Sequence, residues 1–205
     1  MTGNSLRYLR LLLWGGVLVA GLGASWFFLL GGGAGPDRSE LVTDELGRGD
    51  YRLITTEGKE FTQDSLAGQP ALVFFGFTHC PDVCPTTLAD IAGWKEDLGD
   101  RADALRVFFV TVDPQRDTLE VLHAYTSWLP GVIGVTGSAR EIARALEAFH
   151  IYARKVPLED GEYSMDHSAY VMLFDRDGRF DQVIAYQEDP ERVLSKLRHA
   201  LEAAR

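Results

Sequence analysis

At 205 residues, with 46% apolar and 24% charged side chains, the chain has the length of one globular domain plus an appendage and the composition of a folded protein. The net charge is −10 and no basic stripe occurs, which excludes nucleic acid as a partner. The acidity fits a cationic partner surface or metal ions, and solubility explains it equally well.

In chain order, the first element is an apolar run, Leu11–Leu30, with no charge and one hydroxyl, Ser25. As a helix it spans roughly 30 Å, the hydrocarbon thickness of a bilayer. Arg7 and Arg10 precede it, so residues 1–10 are expected in the cytoplasm and the bulk of the chain across the membrane. Trp14, Trp26, Phe27 and Phe28 sit near its ends, where aromatic rings anchor at the interface. A cleaved signal peptide is the alternative, with a small-x-small site at Gly32-Gly33-Ala34, but the apolar core of such a peptide is ordinarily about 7–15 residues. No cysteine follows the run to carry a bacterial lipid. Residues 31–41 read as a flexible tether and residues 42–205 as the folded domain.

Within the domain, Tyr51–Thr55 and Lys59–Thr62 alternate around Glu57-Gly58, a hairpin signal. Asp64–Gly68 is a turn. Ala71–Phe77 is an unbroken apolar run, expected of a strand buried on both faces. Thr86–Leu98 is helical by its spacing of Leu88, Ile91, Trp94 and Leu98. Leu105–Val112 is a second buried strand. Asp117 or Thr118 can cap a helix reaching Trp128. Val132–Thr136 is a short strand, and Ser138 with Glu141 forms a capping box ahead of Ala139–Phe149. Ser168–Asp175 and Phe180–Gln187 pair as a hairpin around Gly178, and Asp189-Pro190 opens a last helix. The alternating middle predicts right-handed crossovers and a parallel core, and the late hairpin makes the sheet mixed. Reactive groups of such sheets lie beyond the carboxyl ends of the strands.

Both cysteines fall at such an end, in Gly76-Phe77-Thr78-His79-Cys80-Pro81-Asp82-Val83-Cys84-Pro85. Residues i and i+4 share a helix face about 5–6 Å apart, within reach of a disulfide or of one ion. A helix N-terminus lowers the pKa of a thiol beside it. Three uses are open: a structural bridge, redox chemistry and a soft metal. A bridge closing so short a loop adds little stability. A metal site needs a further ligand. His123, His150 and His199 lie on or at the ends of helices and read as structural or solvated. His79 should point away from Cys80 in an extended approach. His167, in Tyr163-Ser164-Met165-Asp166-His167-Ser168, precedes a strand that would bring it beside the cysteine turn if paired with Ala71–Phe77. Met165 reads as a packing residue. Two thiolates and an imidazole suit Cu(I), whereas Zn(II) in a structural site takes four ligands. Such binding needs both cysteines reduced.

The Phe77–Thr86 run, the run Val110-Thr111-Val112-Asp113-Pro114-Gln115-Arg116-Asp117-Thr118 and Asp166-His167-Ser168, in that order, resemble the Sco/SenC family. Its members are membrane-anchored copper-binding proteins of cytochrome c oxidase assembly. The resemblance covers about residues 42–200 and implies an α/β, thioredoxin-like domain, a mixed sheet flanked by helices. It implies copper held by Cys80, Cys84 and His167, as Cu(I) with Cu(II) left open. On physical grounds Asp113 and Asp166 are candidates to orient His167 or shape the loop, and Asp113, before Pro114, also reads as a turn or helix-start residue. It implies a metal carrier rather than an enzyme, delivering copper to the oxidase subunit with the dinuclear copper centre. The alternative is an exported thiol–disulfide oxidoreductase that reduces that subunit's cysteines, or a sensor of copper or redox state. Other copper carriers and thiol reductants are further partners. The implied location is a bacterial inner membrane, single-pass, with the C-terminal domain in the periplasm. Generic thioredoxin-like oxidoreductases carry CxxC and a proline before the late strand. Here the motif is CxxxC, no proline lies between Pro157 and Pro190, and His167 stands in that region.

Overall fold

The computed structural model describes residues 3–29, 45–159 and 161–203. The chain divides into two units, residues 1–40 and 41–205. The first holds α1 (Gly3–Leu29), which starts ahead of the expected Leu11. Its side chains from Tyr8 to Trp26 are exposed. Leu30 and the expected tether, residues 31–41, lie outside the described residues.

The second unit runs β1 (Leu53–Thr55), β2 (Glu60–Phe61), β3 (Ala71–Gly76), α2 (Val83–Leu98), β4 (Arg106–Thr111), α3 (Leu119–Thr126), β5 (Val132–Thr136), α4 (Ala139–Ala148), β6 (Ala153–Pro157), β7 (Tyr163–His167), β8 (Val171–Phe174), β9 (Phe180–Ile184) and α5 (Pro190–Ala203). Seven strands form one mixed sheet in the order β2-β1-β5-β4-β3-β8-β9, the expected thioredoxin-like arrangement. β3, β4 and β5 are parallel, as their helical crossovers require. β8 runs antiparallel to β3, pairing Val171 with Phe74. The chain entering β8 is therefore brought to the end of β3 from which the cysteine turn leaves.

Every residue of β3 is buried, as its unbroken apolar run demands. Each fully buried Leu, Val or Phe there contributes roughly 1.5–3 kcal/mol. The rings of Phe75 and Phe149 pack 5.1 Å apart, and Phe149 meets Phe174 edge-on at 5.8 Å.

The structure departs from the sequence reading at several edges. α2 begins at Val83 rather than Thr86, so Cys84 and Pro85 lie in its first turn, where a proline sacrifices no helical hydrogen bond. α3 stops at Thr126, short of Trp128, and its cap is Thr118, whose hydroxyl accepts from the Val121 amide. Only half of the expected capping box forms. Ser138 accepts from the Glu141 amide at 3.3 Å, but the Glu141 carboxylate turns to the Arg52 amide at 2.9 Å. His167 ends a strand of its own, β7, which pairs with β6 as a separate two-stranded sheet.

Gly76 closes β3 at a point where no side chain fits. A Cβ there would stand 2.7 Å from the Phe109 ring and 2.9 Å from Cys84 Sγ. Gly76→Ala is expected to destabilise the domain by about 1–3 kcal/mol through overpacking. Denaturant unfolding measures it, and an unchanged midpoint would refute the crowding.

Candidate functional site

The cysteine turn leaves β3 through Phe77, which is buried, and bends back as the Cys80 amide donates to the Phe77 carbonyl at 3.2 Å. The residue flanking the start of α2 is Asp82, whose carboxylate makes no capping hydrogen bond to the backbone. Instead the Cys84 amide, in the first helical turn, donates to Cys80 Sγ at 3.3 Å. A sulfur thus fills the place usually taken by a capping oxygen. The two cysteines approach through this contact and not as neighbours on a helix face, because Cys80 precedes the helix.

The two thiols, both free, are unequal. Cys84 is fully buried, while Cys80 is half-buried. The Cys84 thiol donates to Cys80 and holds the Cys80 sulfur well below the ordinary thiol range, against partial burial. The Cys84 and Asp82 amides add to the effect. The same hydrogen bond, followed by burial, pushes the Cys84 thiol up.

His167 completes the group from β7. Its Nε2 lies 3.8 Å from Cys84 Sγ, and its Nδ1 lies 2.9 Å from the Ser168 carbonyl oxygen. A carbonyl only accepts, so Nδ1 carries the proton and Nε2 turns its lone pair toward the sulfurs. The ring is held a second time by Phe77, edge-on at 5.7 Å.

Of the two roles expected of Asp113 and Asp166, orienting His167 or shaping the loop, the structure shows contacts for the second, made by Asp113. Neither aspartate appears among the hydrogen-bond partners of His167; the Ser168 carbonyl takes the role of orienting the ring. Asp166 makes an exposed 3.8 Å pair with Arg154, an interaction worth little at a surface. Asp113 is buried and accepts from Arg116 Nε and from Tyr163 Oη, the latter at 2.9 Å. Arg116 Nη1 then donates to the Tyr163 carbonyl at 2.9 Å, with its guanidinium 3.7 Å over the Tyr163 ring. Asp113 therefore latches the β6–β7 hairpin to the loop after β4. Met165 packs against the core from the same hairpin. His79 is exposed, with Nδ1 3.1 Å from the Thr78 hydroxyl, and His123, His150 and His199 are exposed on the helices or at their ends.

Asp117, read from the sequence only as a helix cap, is the main support of the turn. It is fully buried. Its carboxylate accepts from the Thr78 amide at 3.1 Å, the Thr78 hydroxyl at 2.6 Å and the Thr111 hydroxyl at 2.6 Å. Nothing in local spacing marks this role, since its donors come from two strand ends far apart in the chain. Asp117→Asn replaces one acceptor oxygen with an N–H, so either the Thr78 amide and the Thr111 hydroxyl or the Thr78 hydroxyl lose the carboxylate oxygen they donate to. It is expected to cost about 1–3 kcal/mol in thermal or denaturant unfolding, and a neutral substitution would contradict the clamp. For the thiol pair, iodoacetamide at pH 6 is expected to alkylate Cys80 well ahead of Cys84. Peptide mapping that finds equal labelling would refute the asymmetry.

Comparison with known proteins adds a lineage to this geometry. The SCO1/SenC family model matches residues 40–202. The structure of Bradyrhizobium japonicum ScoI with copper bound is 41% identical with a TM-score of 0.70, covering 76% of this chain and 99% of that one. Yeast Sco1 with copper bound is 30% identical with a TM-score of 0.70, covering 78% of this chain and 90% of its own. The mitochondrial SCO2 homolog of Bos taurus is 32% identical over 194 residues, 91% of this chain and 73% of the bovine protein. With its folded unit matched almost from end to end, the chain belongs to the SCO1/SenC family.

Proposed function

We propose that this protein is a membrane-anchored copper carrier that holds Cu(I) through Cys80, Cys84 and His167 and passes it to the copper-bearing subunit of cytochrome c oxidase. The observation that carries this reading is the 3.8 Å approach of His167 Nε2 to Cys84 Sγ with Nδ1 already committed to a carbonyl. With bonds of about 2.3 Å to sulfur and about 2.0 Å to nitrogen, as in zinc sites, that separation is spanned by one ion at an angle near trigonal. The two copper-bound relatives support the choice of metal. Among the described residues no three His, Cys, Asp or Glu side chains form a closed metal cage. Cys80, whose sulfur accepts from the Cys84 amide, is the third member of the proposed set.

The half-exposed Cys80 thiolate makes first contact with the arriving ion. Cys84 then gives up its proton to solvent and becomes the second sulfur ligand, and His167 Nε2 supplies the third without a proton to lose. Release runs in the opposite order, and the exposed position of Cys80 suits exchange with thiols of a receiving subunit. In the anchor, Tyr8–Trp26 is long and apolar enough to cross a membrane. Arg7 just ahead of it and Arg10 in its first turn support a single span with residues 42–205 on the outer face, which in a bacterium is the periplasm.

A second reading, reduction of the receiving subunit's cysteines, is favoured by the polarised thiol pair. The two separate in one experiment on the reduced full chain in detergent micelles, titrated with Cu(I) against a chromophoric chelator. Carriage predicts one Cu(I) per chain, lost on Cys80→Ser or Cys84→Ser. His167→Ala should weaken it by about a hundredfold or more, at or beyond the upper end of what outer partners of a metal ligand contribute. If His167→Ala leaves affinity unchanged while Cys80→Ser abolishes reduction of a model disulfide, the reductase reading stands instead.

A further inference from the structure

The β6–β7 sheet has one covered edge and one open one. Two backbone bonds fix the phase of the pairing: the Ser168 amide donates to the Tyr152 carbonyl at 3.0 Å, and the Leu158 amide to the Glu162 carbonyl at 2.8 Å. Inward-bonded positions alternate in an antiparallel pair, so Arg154 and Val156 also face β7. Ala153 and Lys155 therefore turn their N–H and C=O groups to the opposite side. Among the described residues no hydrogen bond reaches those groups, since β6 pairs with β7 alone. Pro157, which has no N–H, ends the row. The outer edge of β7 is covered instead by Arg116, which donates to the Tyr163 carbonyl. Unpaired backbone groups along a strand edge are a template for a further strand.

A groove of about 230 Å³ lies against the open edge. Ala139, Ala143 and Leu146 of α4 form one wall and Ala153, Arg154 and Lys155 of β6 the other. Side chains of successive strand residues point to opposite faces, so three in a row mean that β6 meets the groove by its edge. The three α4 residues share one helix face, and none of them is buried. A strand added to β6 could bond to Ala153 and Lys155 and lay alternate side chains on α4. Charge narrows the occupant. The chain carries −10, yet β6 holds two cations and no acid. Lys155 has no carboxylate partner among the described residues; its ammonium meets the Gln115 side-chain oxygen and lies 4.1 Å over the Tyr163 ring. Arg154 has the exposed 3.8 Å contact with Asp166. The one acid lining the groove, Asp113, is already paired with Arg116.

We propose that the groove between α4 and β6 is a peptide-docking site, taking an extended segment of a partner protein in which small apolar side chains alternate with carboxylates. The segment adds to β6 as a strand, its apolar side chains resting on α4 and its carboxylates meeting Arg154 and Lys155. Ala153 stands opposite His167 in the pairing, so the docked segment lies two strand spacings, about 10 Å, from the strand that carries His167. The site goes beyond the copper reading and does not rest on it.

The test uses the metal-free full chain in phospholipid nanodiscs and a fluorescent, acetylated and amidated peptide, Asp-Val-Glu-Val-Asp, followed by anisotropy. Saturable binding is expected. Methylating every backbone amide of the peptide, or replacing its acids by lysine, should weaken binding about tenfold or more, the scale of one or two lost hydrogen bonds or ion contacts. Ala143→Glu, which puts a bulky like charge on the exposed α4 wall, should do the same. Ala153→Pro removes one outward N–H at a place where an edge strand tolerates proline, and should weaken binding severalfold. If that variant folds poorly, the methylated peptide tests the edge with the wild-type chain. No saturable binding up to about 1 mM peptide would overturn the site. So would equal affinity for the methylated or lysine peptide, unchanged affinity in Ala143→Glu, or a dimer in sedimentation that Ala153→Pro dissociates, which would make a second copy the occupant. Because no metal is present, each outcome stands whether or not the chain carries copper.

Discussion

A single buried carboxylate holds the two halves of this site in register. Asp117 draws in three neutral donors, two from Thr78 at the exit of β3 and one from Thr111 at the end of β4. Its own carbonyl accepts from the Thr136 hydroxyl at the end of β5 at 3.1 Å. The ends of three parallel strands thus converge on one residue. A buried charge is tolerable when its oxygens are satisfied, and here satisfying them fixes the backbone two residues before Cys80. The position of the thiols follows from that clamp more than from the CxxxC spacing.

The second constraint is a latch. Two ligands of the proposed site come from one turn, but His167 arrives on a hairpin outside the main sheet. A two-stranded sheet has little stability of its own. Asp113, Arg116 and Tyr163 tie it down, with Lys155 adding a cation 4.1 Å over the Tyr163 ring. The geometry of the imidazole is thereby set by polar contacts, while that of the sulfurs is set by a core strand and a helix.

These different origins explain what the sequence could reveal. β3 was legible because a strand buried on both faces reads as a continuous apolar run. The meeting of His167 with residues 83 positions away was legible because β8 pairs with β3 and carries the preceding residues to the same sheet end. The β6–β7 hairpin was not, since Ala153–Pro157 and Tyr163–His167 show neither an apolar run nor a clean alternation of buried and exposed positions. The start of α2 was placed late because Pro85 is an ordinary helix opener, yet proline fits anywhere in a first turn. Asp117 and Asp113 misled for one shared reason. A carboxylate beside a proline or ahead of a helix looks like local turn chemistry, and only the tertiary fold shows that its donors come from other strands.

The sulfur that caps α2 has a further consequence. One backbone amide, that of Cys84, has a cysteine sulfur as its acceptor. Any bond that Cys80 makes to a metal, to Cys84 or to another protein's thiol competes for that sulfur's electron density and changes the acceptor this amide sees. The chemical state of the thiol pair is therefore written into the start of a helix. A 15N spin on the Cys84 amide would read it out directly, without an attached reporter group and without touching the sulfur.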